Sequence, residues 1–166
     1  YAIEDATSSG IFDDVLLSTD SRKYADIGRK YGATVPFLRP AQLASDEASG
    51  IDVYLYTLKR LQQEFGRSYD TFFVLQPTSP MRKATHVREA NQVLEQEDDT
   101  RAVISVTQQE HPPAWSGHLN EDLFMGNFLE NETARMNRQE HGTPYRLNGA
   151  IFASNVQYFM ENRGFY

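Results

Sequence analysis

Short apolar runs alternate along the chain with stretches of helical periodicity. Four runs are hydrophobic on consecutive positions and rich in β-branched or aromatic residues: residues 15–18, 71–75, 102–106 and 149–153. Consecutive apolar positions are typical of strands that are buried on both faces. The sequence therefore predicts four buried strands.

Three stretches between the strands predict helices. Residues 21–31 predict a helix that Asp20 caps at its start and that Gly32, which tolerates the left-handed conformation, ends. The second and third helices are indicated by side chains at three- and four-residue steps, which share one face. These side chains are Ile51, Tyr54, Leu55, Leu58, Leu61 and Phe65 in one helix, and Ala84, Val87, Asn91 and Leu94 in the other.

The alternation of strands and helices predicts the fold class. Crossover units of this kind form an α/β protein with a mainly parallel sheet and helices on both faces. Ligands of such sheets bind beyond the carboxyl ends of the strands, which directs attention to the loops at residues 18–20, 76–82 and 107–115. Residues 116–148 are polar and aperiodic, as in a binding loop, a partner-contact arm or a disordered segment.

The composition excludes several classes of function. The 166 residues are 40% hydrophobic, enough for one domain with a single core. A net charge of −7 repels nucleic acids and anionic membranes, and no apolar run approaches the ~20 residues that a membrane-spanning helix needs. The absence of cysteine fits a reducing compartment. The sequence therefore predicts a cytoplasmic protein with small-molecule partners, and neither nucleic acid nor a membrane among them.

Polar side chains in rigid loops are the candidates for binding. Arg39 stands before a proline, Gln76 begins a loop with two prolines, Arg146 precedes the last predicted strand, and Arg138 lies just upstream. A guanidinium is a planar fork of donors that matches a carboxylate, a phosphate or the acceptor edge of a base. Taken singly, each loop arginine also fits a surface salt bridge, and residues 77–80 fit a simple turn.

Other chemical signals in the sequence carry less weight. The histidines are isolated, without the paired spacing of metal ligands, and are expected at the surface or in packing contacts; they are His86, His111, His118 and His141. His111, held by two prolines near a strand end, is the one that best fits a catalytic role. The chain has no dinucleotide fingerprint, Walker loop or nucleophile elbow.

Five segments in register resemble the acylneuraminate cytidylyltransferases, the synthetases of cytidine-monophosphate-activated sialic acids. The segments are residues 18–20, 38–46, 75–82, 110–112 and 146–151, so the resemblance extends over residues 12–152. It implies a three-layer α/β fold of the nucleotide-diphospho-sugar transferase kind. It also implies the reaction: the anomeric hydroxyl of a nine-carbon ulosonic acid attacks the α-phosphate of cytidine triphosphate and releases pyrophosphate, with magnesium assisting.

The resemblance also implies roles for individual residues. For the nucleotide, Arg39 matches the arginine directed at the cytosine, with the backbone near Ala48 and Ser49 beside it; Gly50 stands where the family often has serine. For the sugar, Gln76 matches the glutamine that contacts the acyl sugar. The groups around the sugar carboxylate are matched by Arg138, Arg146 and Asn148.

The resemblance further implies what lies outside the chain. Family members open with a basic, glycine-containing loop that holds the triphosphate, and they close with an Asp-x-Asp segment that binds the metal. Residues 1–166 are therefore expected to form a single, incomplete nucleotidyltransferase domain that is inactive on its own. No catalytic residue is expected within it, and the Mg²⁺ ligands are expected elsewhere.

The resemblance implies a homodimer in which residues 116–145 form a dimerisation and sugar-site arm. Two alternatives to the interpretation of the chain as a sialic acid cytidylyltransferase stay open. The acceptor could be a related sugar such as legionaminic or pseudaminic acid, because the matching residues serve the shared carboxylate. The chain could instead be a non-catalytic nucleotide-sugar-binding module that lacks the phosphate loop.

Overall fold

The computed structural model describes residues 1–96, 99–125, 136–137 and 140–166, and these ranges contain five α-helices and three strands. The helices are α1 (Ala2–Ser9), α2 (Arg22–Lys30), α3 (Gly50–Phe65), α4 (Ala84–Gln96) and α5 (Val156–Asn162), and the strands are β1 (Thr71–Val74), β2 (Ala102–Gln108) and β3 (Tyr145–Asn155). Short 3-10 turns lie at Ala41–Leu43 and Pro113–Trp115. The α/β class, the three predicted helices and three of the four predicted strands are confirmed.

The three strands form one sheet in the order β1-β3-β2. Strand β3 is antiparallel to β1, with Thr71 opposite Asn155. It is antiparallel to β2 as well, because Asn155 N–H donates to Arg101 O whereas Ile151 N–H donates to Ser105 Oγ, so the partner numbers run in opposite directions. Strands β1 and β2 consequently point the same way, as the α4 crossover between them requires.

The described sheet therefore does not display the mainly parallel arrangement that the alternation predicts. Consecutive apolar positions report that both faces of a strand are buried, and they carry no information on strand direction. β3 follows the long segment after β2 and returns between the two parallel strands in the opposite direction.

The prediction of a strand at residues 15–18 is wrong. This segment makes an isolated parallel bridge to Thr34, in which Leu17 N–H donates to Thr34 O and Thr34 N–H donates to Val15 O. A parallel ladder would continue with a donation from the second residue after Thr34, which is Pro36 and has no N–H. The ladder therefore stops after one bridge.

The helix termini follow local side-chain chemistry. Ser21, and not the predicted Asp20, caps α2, because its side chain accepts a hydrogen bond from Tyr24 N–H at 3.4 Å. The chain turns at Gly32 with a φ of 95° directly after the helix, as predicted. Helix α3 ends in the same way at Gly66, which has a φ of 63°.

The core is built on aromatic packing between α3, the sheet and the C-terminal segment. Leu55, Phe159 and Phe165 are buried together, and Phe72 of β1 packs edge-on against Phe159 with ring centroids 4.8 Å apart. Aromatic pairs in this orientation add to the free energy gained from burial alone. None of the helices in the described ranges combines the length and the apolar character that crossing a bilayer requires.

The chain divides into two compact units. The first comprises Tyr1–Ser105 and Gly149–Tyr166, and the second comprises Val106–Asn148. The predicted arm at residues 116–145 falls within the second unit, and residues 126–135 and 138–139 lie outside the described part of the chain.

Candidate functional site

Two loops that the sequence singled out separately are joined at Arg39. The Arg39 N–H donates to the carbonyl of Thr19 at 2.8 Å. Thr19 is buried, and its hydroxyl accepts a hydrogen bond from Ser21 N–H. Pro40 restricts the backbone directly after Arg39. The arginine is therefore anchored through its backbone, which leaves its side chain free for other contacts.

The Arg39 guanidinium has unused donor capacity. Its Nε is buried and has no hydrogen-bond partner within the described residues. The guanidinium lies near the phenol of Tyr54: burial raises the pKa of Tyr54, and the positive charge of Arg39 opposes this shift. An unpaired buried donor costs about 1–3 kcal/mol, so a ligand acceptor that pairs with Arg39 recovers part of this penalty.

The first turn of α3 adds backbone groups to this region. Ser49 precedes the helix, and its side chain is exposed and makes no capping hydrogen bond to the described first turn. The Ala48 N–H already donates to Ser45 O at 3.1 Å, so Ala48 offers its carbonyl oxygen rather than its amide. Gly50 and Tyr54 are in contact, since a Cβ built on Gly50 would lie 3.3 Å from the Tyr54 hydroxyl oxygen.

A second group of side chains surrounds Gln76, two residues after β1. A Cβ built on Gly149 would lie 2.5 Å from Gln76 Oε1, so the carboxamide of Gln76 is in contact with the backbone of β3 at Gly149. Gly149 has a φ of 72°, which residues with a side chain rarely adopt. The backbone conformation therefore favours glycine at position 149, and a Cβ there would displace the carboxamide of Gln76.

Arg82 fixes the loop that carries Gln76. It is 6% exposed, and its Nη1 donates to the Gln76 carbonyl at 3.0 Å and to the Ala150 carbonyl at 2.6 Å. Its Nε lies 3.7 Å from the carboxylate of Asp5 on α1. Burial lowers the pKa of Arg82 and Asp5 opposes the shift, but a guanidinium stays charged in any protein. Arg82 thus ties the loop to β3 and to α1.

Replacing Gly149 with alanine is expected to lower the free energy of unfolding by about 2–3 kcal/mol and to displace the Gln76 side chain. About 1–2 kcal/mol is expected from the left-handed backbone alone, and the contact with Gln76 adds to it. Urea denaturation measures the change. Gly66→Ala is the matched control, because Gly66 has a φ of 63° with open space around it. Equal losses in the two variants would show that Gln76 does not lie against Gly149.

The predicted site residues fall into three groups according to where they lie in the structure. Arg39, Ala48 and Ser49 lie in the first unit, where Tyr54 links the Arg39 side chain to the first turn of α3. Gln76 lies in the same unit, packed on Gly149. The remaining three belong elsewhere: Arg146 and Asn148 are exposed on one face of β3 within the second unit, and Arg138 is outside the described residues.

Two residues of the site were not identified from the sequence. The sequence placed Tyr54 on the apolar face of α3. Tyr54 also lies four residues, or about one helical turn, after Gly50, and side chains in a helix lean back toward its N-terminus. Arg82 lies at the end of residues 75–82, one of the segments that carry the resemblance, but the sequence indicated no role for it. Its burial depends on a contact with Ala150, 68 residues away, which no local pattern signals.

Histidines and metal-ligating groups do not form a centre in the described part of the chain. No group of three or more His, Asp or Glu side chains is positioned there to hold a metal ion. In the second unit, Trp115 packs against two histidine rings, with centroid distances of 6.2 Å to His111 and 5.7 Å to His141. These histidines take part in aromatic packing, which is the role expected for isolated histidines.

Comparisons with known proteins bear on this geometry. The profile of a family described as Cytidylyltransferase matches residues 1–148. An N-acylneuraminate cytidylyltransferase of Escherichia coli O18:K1:H7 is 34% identical over 166 residues, which are 100% of this chain and 38% of that protein. CMP-N,N'-diacetyllegionaminic acid synthase of Legionella pneumophila is 31% identical over 168 aligned residues, covering 100% of this chain and 70% of the relative.

A third relative carries another acidic sugar in its name. The pseudaminic acid cytidylyltransferase of Campylobacter jejuni is 33% identical over 161 residues, which cover 97% of this chain and 68% of that protein. The chain thus spans little more than a third of the Escherichia coli relative and somewhat over two thirds of the other two.

Proposed function

Because the chain belongs to the cytidylyltransferase family, we propose that its protein transfers cytidine monophosphate from cytidine triphosphate (CTP) to a nine-carbon acidic sugar. The sugar hydroxyl forms a bond to the α-phosphorus, the bond between the α-phosphorus and the bridging oxygen breaks, and pyrophosphate leaves. The observation that carries the proposal is Arg39, whose backbone is anchored and whose buried Nε has no partner among the described residues.

Arg39 and Ala48 recognise the cytosine. Cytosine presents two acceptors, O2 and N3, to a guanidinium fork, and its exocyclic amine is a donor. The Ala48 carbonyl is suited to accept from that amine, because the Ala48 N–H is already bonded to Ser45. The backbone at Ser49 completes the contact. Uracil carries a hydrogen on N3 and an oxygen in place of the amine, so it mismatches both partners.

Gln76 contacts the sugar. The carboxamide of Gln76 offers donors and an acceptor to hydroxyl groups. The contact of this carboxamide with Gly149 and the bond from Arg82 to the backbone carbonyl of Gln76 restrict the position of the residue. A preorganised group loses little conformational entropy when a ligand binds. Arg146, Asn148 and Arg138 stay predictions for the sugar carboxylate. Charge-assisted pairs of that kind would favour acidic over neutral sugars.

Magnesium belongs to the proposed reaction, where it would neutralise charge on the phosphates. The described residues gather no three-ligand cluster, so no metal ligand is assigned within this chain. The residues of the chain bind and orient the two substrates.

The proposal extends to the larger fold, a three-layer sandwich with a mainly parallel sheet. Two observations support it: β1 and β2 point the same way, and residues 15–18 make their bridge to Thr34 in the parallel sense. A cytoplasmic location is part of the proposal, supported by a chain without cysteine.

Residues 116–145 are proposed to contact a second copy of the protein in a homodimer. The described part of this range exposes large apolar side chains, which in water favour association. They are Leu119 (50% exposed), Leu123 (75%), Phe124 (69%), Met125 (49%), Met136 (37%) and Tyr145 (62%). Light scattering that reports a monodisperse monomer at micromolar concentration would contradict the dimer.

Pyrophosphate release by the full-length protein tests the proposed function. The assay contains CTP and either N-acetylneuraminic, legionaminic or pseudaminic acid, with N-acetylmannosamine as the neutral control. We expect release that requires both CTP and one of the acids, and the preferred acid identifies the acceptor. Pyrophosphate release with the neutral sugar would overturn the proposal, and so would a lack of release with all three acids.

A further inference from the structure

We propose that the Tyr54 hydroxyl is a further recognition group for the nucleoside part of the bound nucleotide, acting beside Arg39. The inference rests on the proposed function, because it concerns the same site. It assigns a ligand contact to a residue whose ring otherwise belongs to the core.

The geometry places the Tyr54 hydroxyl at the first turn of α3. Tyr54 lies one helical turn after Gly50, and side chains in a helix lean toward its N-terminus. A Cβ built on Gly50 would lie 3.3 Å from the hydroxyl oxygen of Tyr54, 3.6 Å from its Cζ and 3.7 Å from its Cε2. The hydroxyl oxygen therefore lies directly beside the point at which a side chain at position 50 would begin.

The ring of Tyr54 is held in place from the core side. It packs against Phe159 and Phe165, with ring centroids 6.3 and 6.2 Å away. Its residue is half-buried. A two-torsion aromatic side chain fixed in this way presents its hydroxyl at low entropic cost to a ligand.

Two donors lie near each other in this region. The buried Nε of Arg39 has no hydrogen-bond partner within the part of the chain that the structure describes, and the pKa of the nearby Tyr54 hydroxyl is shifted by burial and by the charge of Arg39, with no hydrogen bond among the causes. Burial raises the pKa of Tyr54, so the phenol keeps its proton and remains a donor at neutral pH. A nucleoside, rich in acceptors on its base and ribose, supplies partners for both groups.

A side chain at position 50 would crowd the Tyr54 hydroxyl. The hydroxyl group can therefore be moved from position 54 to position 50 as a test. A Cβ at position 50 would be closer to the hydroxyl than ordinary van der Waals contact allows. Removing the Tyr54 hydroxyl creates room for a serine at position 50, whose own hydroxyl then occupies the same region.

The experiment measures the Kd of cytidine and of cytidine monophosphate (CMP) by calorimetry with the full-length protein. Tyr54→Phe is expected to raise both Kd values about 5- to 10-fold with little change in melting temperature, because only one oxygen is lost. Gly50→Ser with Tyr54→Phe is expected to recover part of the affinity. Tyr56→Phe, on the same helix with its hydroxyl bonded to Arg60, is the control and should bind normally.

Each outcome decides between the claims. If the unaltered protein binds no cytidine nucleotide, the proposed function fails. If it binds and Tyr54→Phe binds equally well, only the inference on Tyr54 fails. A loss seen with CMP but not with cytidine would assign the hydroxyl to the phosphate and overturn the nucleoside contact. A double variant no tighter than Tyr54→Phe would show that a hydroxyl in this region does not contact the nucleoside, and it would overturn the inference as well.

Discussion

Replacing Arg82 with methionine is expected to lower the free energy of unfolding by about 3–5 kcal/mol. Methionine keeps most of the length of the side chain but leaves the carbonyls of Gln76 and Ala150 without their shared donor and the carboxylate of Asp5 without its counter-charge. The Asp5 carboxylate, only 19% exposed, is the group left uncompensated, and a half-buried charge without its counter-charge is among the few causes of large losses from single substitutions. Urea denaturation followed by circular dichroism measures the effect.

Two further variants separate the causes. Arg88→Met is the matched control, because Arg88 is exposed and also reaches α1, donating to Ser8 O at 3.3 Å; a loss within about 1 kcal/mol is expected. Adding Asp5→Leu to Arg82→Met should restore part of the stability, since no buried charge then remains unpaired. If Arg82→Met is as mild as Arg88→Met, Arg82 does not hold the Gln76 loop on β3.

Replacing Arg39 with alanine is expected to weaken the binding of cytidine nucleotides by roughly 1–3 kcal/mol, or about 5- to 150-fold in Kd. The loss arises because two acceptors of the cytosine lose a desolvated, charged donor. The free energy of unfolding should change much less, since the anchoring bond from Arg39 N–H to Thr19 O uses the backbone. Calorimetric titration with CMP gives the affinity.

Conservative and control substitutions sharpen the test of Arg39. Arg39→Lys keeps the charge but not the fork, so it should recover only part of the affinity. Arg67→Ala removes a surface arginine that pairs with Asp14, and it should leave nucleotide binding unchanged. If the Arg39→Ala protein binds CMP normally, Arg39 is an ordinary surface arginine.

Local patterns predicted the elements that depend on local burial. The three- and four-residue steps of α3 identified it because most of the same positions face the core, where Leu55 and Leu61 are buried, whereas Phe65 at the end of the helix is 41% exposed. The strand at residues 15–18 was mispredicted because its pairing depends on a different segment, which Pro36 interrupts. The direction of each strand could not be predicted from its local sequence either, because it depends on how the chain returns to the sheet.

In the candidate site as well, the sequence predicted local features but not the contacts between distant segments. Arg39 and Gln76 could be selected from the sequence because prolines beside them restrict the loops. The contact of Gln76 with Gly149 and the bond from Arg82 to Ala150 join segments far apart in the chain, and no local signal encodes them. The hydroxyl of Tyr54 is an intermediate case, because its distance of one helical turn from Gly50 could be read directly from the sequence.

The most direct test of the central claim, that Arg39 reads cytosine, compares the Kd of CTP and UTP in the unaltered full-length protein and in Arg39→Ala. The two nucleotides share their triphosphate, so the ratio of their Kd values isolates recognition of the base. We predict that the unaltered protein binds CTP at least about tenfold more tightly than UTP and that Arg39→Ala loses most of this preference. Equal binding of CTP and UTP, or a preference that survives in Arg39→Ala, would contradict the account.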